Sequence, residues 1–121
     1  MSSKVLVVDD SGTMRKIVIR ALNSAGFSDT VEAADGAEAL TVFQKSPIGL
    51  VLTDWNMPNK NGLELTRDIR SGGSKVPIFM ITTEAEKTRV VEAIQAGITD
   101  YLTKPFTQEV LQAKLAKYAT A

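Results

Sequence analysis

The residues best placed to do chemistry all follow short apolar runs. Val5-Leu6-Val7-Val8 leads into Asp9-Asp10, and Leu50-Val51-Leu52 leads through Thr53 into Asp54. Ile78-Phe79-Met80-Ile81 leads into Thr82-Thr83, and a more polar segment, 99–103, ends at Thr103-Lys104. Three carboxylates brought into one crevice repel one another and cannot all stay ionised without a cation. One divalent cation together with the Lys104 ammonium would cancel their charge. The donors on offer are hard oxygens without nitrogen or sulfur, so Mg²⁺ is the expected ion. It favours one or two carboxylates, waters and a phosphate. Aspartate after a buried strand is also a common helix N-cap, and for Asp10 or Ser11 alone that reading is equally good. A lone Lys-Pro is usually a turn. Four separate strand ends carrying complementary groups are not explained that way.

Composition narrows the options further. The 121-residue chain contains no histidine and no cysteine. That removes the commonest general base, the commonest zinc ligand, thiolate sites, disulfides and a cysteine nucleophile. Fourteen basic residues balance fourteen acidic ones, so no bulk field draws the chain to nucleic acid or an anionic membrane. A charge-based function must be local. No apolar run approaches the ~20 residues needed to span a bilayer, and no signal peptide is evident before the first strand-like run. The expectation is a cytoplasmic monomer with one domain over residues 1–121.

The elements that must position these residues are legible as alternating patterns. The continuously apolar runs read as parallel strands covered on both faces, and segments 30–34 and 99–103 read as more polar strands. Met14, Ile17, Val18, Ala21, Leu22 and Ala25 recur at helical spacing up to Gly26,. Ala39, Leu40 and Phe43 form a second stripe, Leu65 and Ile69 a third, Val90, Val91 and Ile94 a fourth, and Leu111, Leu115 and Tyr118 a fifth. Thr83 with Glu86 has capping-box spacing, and Thr107 suits an N-cap. Five βα units imply an α/β, (βα)5 three-layer sandwich with right-handed crossovers. The polar strands 2 and 5 belong at the edges, which predicts a flavodoxin-like parallel sheet of order 2-1-3-4-5. Its ligands would bind at the carboxyl ends of the strands.

Taken in order, Val7-Val8-Asp9-Asp10-Ser11, Leu52-Thr53-Asp54-Trp55-Asn56-Met57-Pro58, Asn61-Gly62-Leu63-Glu64, Phe79-Met80-Ile81-Thr82-Thr83-Glu84 and the run from Ala96 to Phe106 resemble the receiver domain of two-component response regulators. The resemblance covers essentially the whole chain and is greatest to stand-alone chemotaxis regulators of the CheY type. It implies that Asp54 is a nucleophile taking a phosphoryl group from the phosphohistidine of a sensor kinase. It implies that Asp10, Asp54 and the backbone carbonyl of Asn56 hold Mg²⁺, with Asp9 acting mainly through water. Thr82 and Lys104 would bind phosphoryl oxygens, and Pro105 would follow a cis peptide bond. The missing histidine is then the kinase's to supply.

The resemblance also implies a switch rather than an enzyme, limited to self-phosphorylation from small donors and autodephosphorylation. Partners would be a sensor histidine kinase, a phosphatase and a downstream target, either the flagellar motor switch or another effector. A relay or phosphate-sink role outside chemotaxis is the alternative. Tyr101, with basic Lys87, Arg89, Lys104, Lys114 and Lys117, suggests a protein-binding face on helix 4, strand 5 and helix 5. Tyr101 is also readable as a static edge-strand aromatic, but the resemblance implies a switch in which Thr82 moves toward Asp54 and Tyr101 turns inward. Trp55 is expected at a partly exposed rim of the site. A flavodoxin-like electron carrier is disfavoured because Asp9 and Asp10 would repel a flavin phosphate at Ser11-Gly12-Thr13. A phosphatase with an aspartyl nucleophile would place Asp-x-Asp after strand 1, where this chain has Asp9-Asp10.

Overall fold

The computed structural model describes residues 4–118. Five strands, β1 Lys4–Val8, β2 Thr30–Ala33, β3 Ile48–Asp54, β4 Ile78–Thr82 and β5 Asp100–Thr103, alternate with five helices. These are α1 Gly12–Ser24, α2 Gly36–Lys45, α3 Gly62–Ser71, α4 Val90–Ala96 and α5 Gln108–Leu115. A single 3-10 turn, Glu86–Arg89, precedes α4. The strands are all parallel and lie in the order β2-β1-β3-β4-β5, as the polarity of strands 2 and 5 predicted.

The period-2 alternation of side chains along a strand explains why the central runs are apolar throughout. Val5, Val7, Leu50, Leu52, Phe79 and Ile81 face α1 and α5, where they pack on Val18, Leu22, Leu111 and Leu115. Leu6, Val8, Val51, Ile78 and Met80 point to the opposite face and pack on Ala39, Leu65, Ile69 and Ala93. Both faces are dry, so no strand position at the centre can be polar without a specific partner.

Ser11 and Thr107 cap helices as the sequence suggested, and the structure adds caps at Asp35 and Asn61. Ser11 and Asp35 accept backbone N–H groups at the starts of α1 and α2. Asn61 and Glu64 form a full capping box at α3, and Thr107 caps α5. Each such cap contributes about 1 kcal/mol.

Three expected stripes are only partly inward. In α4 it is Ala93 that is buried, whereas Val91 is 65% and Ile94 54% exposed. The helix is short and begins in a 3-10 turn, whose tighter winding rotates the following residues away from an ideal α-helical stripe. Ile17 on α1 is likewise 48% exposed, because the sheet-facing side of that helix is already filled by Val18 and Leu22. Tyr118 falls beyond α5 and meets Phe79 edge-on, with ring centroids 5.6 Å apart.

Candidate functional site

Strand register brings the chemistry-bearing residues together. Val8 is level with Thr53, so Asp9 comes beside Asp54. Asp54 is level with Ile81, which sets Thr82 one residue further on. Thr82 is level with Thr103, so Lys104 follows just beyond it. Asp9, Asp10 and Asp54 each offer a carboxylate oxygen within 4.8 Å of the others. The Lys104 ammonium donates to Asp54 Oδ1 at 3.0 Å and lies 3.8 Å from Asp9 Oδ2. The peptide between Lys104 and Pro105 is cis, in agreement with the expectation.

Three carboxylates against one ammonium leave the cluster negative. Asp9 and Asp54 are both buried, while Asp10 is exposed. Burial pushes the Asp9 carboxyl above its ordinary value, opposed by the Ser11 N–H and aided by the charge of Asp54. Burial raises the Asp54 carboxyl too, and the hydrogen bond and charge of Lys104 resist it. In both cases taking the ion out of water outweighs the favourable partners.

One oxygen is conspicuously unsatisfied. Asp9 Oδ1 accepts the Ser11 N–H at 2.9 Å, but Asp9 Oδ2 is buried and has no hydrogen-bond partner among the described residues. An orphaned buried acceptor of this kind requires an explanation. A hard cation supplies one: the donor set is all oxygen, the charge is uncompensated, and the orphan belongs to the cluster. The residues present therefore fit Mg²⁺.

The remaining expected site residues sit around this cluster in different states. Thr82 is fully buried, and its hydroxyl donates to the Leu102 carbonyl at 3.3 Å rather than toward Asp54. Tyr101 is half-buried on edge strand β5, with the Lys114 ammonium 4.7 Å from its ring centroid. Of the basic residues near that face, Lys114 pairs with Asp100 and Arg89 with Glu92, while Lys87 and Lys117 are exposed.

Asn56 is exposed at the mouth, and its side-chain amide donates to Glu86 Oε2. Glu86 is 8% exposed and also completes the expected capping box: Oε1 accepts the Thr83 N–H, and the Glu86 N–H donates to the Thr83 hydroxyl. The capping spacing identified Glu86 as a helix-start residue. Its contact with Asn56, thirty positions away, has no local signature.

Trp55 departs from expectation. It is 1% exposed and belongs to the core on the α2, α3 and α4 side, not to an exposed rim. The Arg89 guanidinium lies 4.9 Å over its ring and roofs it. Strand alternation carries Trp55 onto the same face as Val51, and packing beneath Arg89 buries it there,. Gly62, at the start of α3, packs directly on the loop: an added Cβ would sit 2.3 Å from the Asp54 carbonyl oxygen.

The family model for the response regulator receiver domain matches residues 5–116. The chain is 45% identical over 116 residues to chemotaxis protein CheY-3 of Vibrio cholerae, covering 94% of this chain and 89% of that protein. Among solved structures, chemotaxis protein CheY4 of Vibrio cholerae superposes with a TM-score of 0.88 at 37% identity, covering 97% of this chain and 98% of that one. The receiver domain of a sensor histidine kinase from Pseudomonas aeruginosa, described with a magnesium ion coordinated in its active site cleft, superposes with a TM-score of 0.86 at 30% identity. It covers 98% of both chains. Sheet order, the acidic cluster at the strand ends and these likenesses agree, and the chain belongs to the response regulator receiver domain family, with CheY-type chemotaxis proteins among its relatives.

Proposed function

We propose that the chain is a phosphoacceptor switch in which Asp54 receives a phosphoryl group from the phosphohistidine of a sensor kinase. The observation that carries this reading is the cluster itself. Asp54 is buried, its carboxylate lies within 4.8 Å of those of Asp9 and Asp10, and the Lys104 ammonium is hydrogen-bonded to it. An Asp54 oxygen attacks phosphorus, the P–N bond breaks, and the imidazole leaves with the bonding electron pair. A carboxylate nucleophile carries no proton and needs no base, which suits a chain without histidine.

Asp10, Asp54 and the Asn56 backbone carbonyl hold Mg²⁺, with Asp9 acting mainly through water. When bound, the ion neutralises carboxylate charge and that of the incoming phosphoryl oxygens. Lys104, already at Asp54, neutralises one phosphoryl oxygen as charge spreads over the group in the transition state. Thr82 has its hydroxyl turned to Leu102, so it must rotate to reach a phosphoryl oxygen. That rotation is the link to the face formed by α4, β5 and α5, where Tyr101 shifts inward and the target docks. The phosphoryl group biases two existing conformations only as far as it contacts them differently.

The chemotaxis relatives make the flagellar motor switch the proposed target. A relay or phosphate-sink role uses the same chemistry without that target. A phosphatase would set the lifetime of the signal. The test is intact mass after incubation with Mg²⁺ and acetyl phosphate. The wild type should gain one phosphoryl group and Asp54→Asn none, and a variant that still gained the full mass would refute the assignment.

A further inference from the structure

We infer that Glu86 is a positioning residue that holds Asn56 in place at the mouth of the site, and so sets the affinity for the cation. The inference rests on the proposed use of the Asn56 carbonyl. Asn56 lies two residues after Asp54 in the loop between β3 and α3, and its side chain is exposed. An exposed loop residue ordinarily retains several conformations. Here the Asn56 amide donates to Glu86 Oε2, and Glu86 is itself fixed. Its second oxygen accepts the Thr83 N–H at 2.9 Å, its own N–H donates to the Thr83 hydroxyl at 3.2 Å, and it is 8% exposed.

The same 3-10 turn grips the loop a second time. Arg89 lies over the ring of Trp55 at 4.9 Å and is braced by Glu92 at 3.1 Å. Glu86 and Arg89 thus hold the two residues that follow Asp54, Asn56 and Trp55. Burying a carboxylate beside an already acidic cluster is unfavourable, and Glu86 contributes to the raised Asp54 carboxyl. A helix cap alone does not need this arrangement, because a capping glutamate satisfies the Thr83 N–H with one oxygen. The second oxygen, spent on a side chain from another loop, makes Glu86 a bridge. Fixing Asn56 before the ion arrives removes the ordering cost that binding would otherwise bear.

The test is a double-mutant cycle on Glu86→Ala and Asn56→Ala, reading Mg²⁺ dissociation constants from Trp55 emission. Asn56→Ala keeps the backbone carbonyl and changes no charge, so the loss it causes is a loss of positioning. We expect it to weaken Mg²⁺ binding about fivefold and Glu86→Ala to weaken it at least as much. In the Asn56→Ala background the Glu86 substitution should cost clearly less, since only its charge remains to be lost. Phosphoryl uptake by Glu86→Ala at saturating Mg²⁺ should stay close to wild type, which separates placement of the ion from chemistry at Asp54. Unchanged affinity in Asn56→Ala, or strictly additive losses, would overturn the inference. If Glu86→Ala does not fold, Glu86→Gln takes its place in the cycle, because it keeps one oxygen for the Thr83 N–H and turns an amide N–H2 toward Asn56. Wild type that binds no Mg²⁺ would instead refute the proposed function on which this rests.

Discussion

Replacing Asp9 by asparagine should stabilise the protein in the absence of divalent cation. Asp9 is 3% exposed, and its charge sees Lys104 at 3.8 Å and the Asp54 and Asp10 carboxylates within 4.8 Å. At an effective dielectric constant of ~20, Lys104 attracts it by about 4 kcal/mol and Asp54 repels it by about 3.5 kcal/mol. Asp10 is exposed, so water screens its repulsion to about 1 kcal/mol. The Coulomb contributions nearly cancel, and the cost of holding a carboxylate out of water decides the outcome. Asparagine removes that cost while its Oδ1 keeps the Ser11 N–H, and its amide N–H2 replaces the orphaned Oδ2 beside Asp54. The expected gain is about 1–2 kcal/mol at neutral pH, or roughly 4–8 °C in Tm for a domain of this size.

The pH dependence has a definite sign. Asp9 titrates above its ordinary 3.8 in the native state, so the native state binds a proton before the unfolded chain does. The wild-type penalty is therefore complete above the native pKa and disappears as pH falls through it toward 3.8,. Melts followed by far-UV circular dichroism with chelator, at neutral pH and again on acidification, should show a gap that closes in acid. Adding Mg²⁺ should also narrow it, because a cation that binds only the native state adds about 1.4 kcal/mol at ten times its Kd, and the variant has lost one of the negative charges that attract it. An Asp9→Asn protein less stable than wild type at neutral pH without cation would refute this reasoning, as would a gap that persists in acid.

Two further outcomes follow from the same geometry. Gly62→Ala would press a methyl group to 2.3 Å from the Asp54 carbonyl and 2.8 Å from Met80 Sδ, so urea denaturation should show a loss of about 2–3 kcal/mol. Thr82→Ala removes the hydroxyl now resting on Leu102 without touching Asp54. It should slow phosphorylation by acetyl phosphate, and at equal phosphorylation it should weaken phosphorylation-dependent target binding in a pull-down. Undiminished dependence would make Thr82 a residue of the site alone.

The sequence by itself determined the sheet and the identity of the acidic cluster. Continuous apolar runs can be stable only when covered on both faces, which leaves the polar segments 30–34 and 99–103 as the edges. Because all five strands are parallel, their carboxyl ends share one rim, and whatever follows them, Asp9, Asp54, Thr82 or Lys104, must meet there. That inference needs only strand direction and order. Tertiary structure alone decided what depends on side-chain direction and on partners distant in the chain. Trp55 is next to Asp54 in sequence, yet a residue leaving a strand can turn to either face, and packing under Arg89 placed it in the core. Val91 and Ile94 have helical spacing, but the 3-10 entry to α4 sets which side meets the sheet, and it is Ala93. The Thr82 hydroxyl could have faced Asp54, and β5 offered it the Leu102 carbonyl instead. The Glu86–Asn56 bridge joins two loops that periodicity, capping signals and motif spacing describe only one at a time.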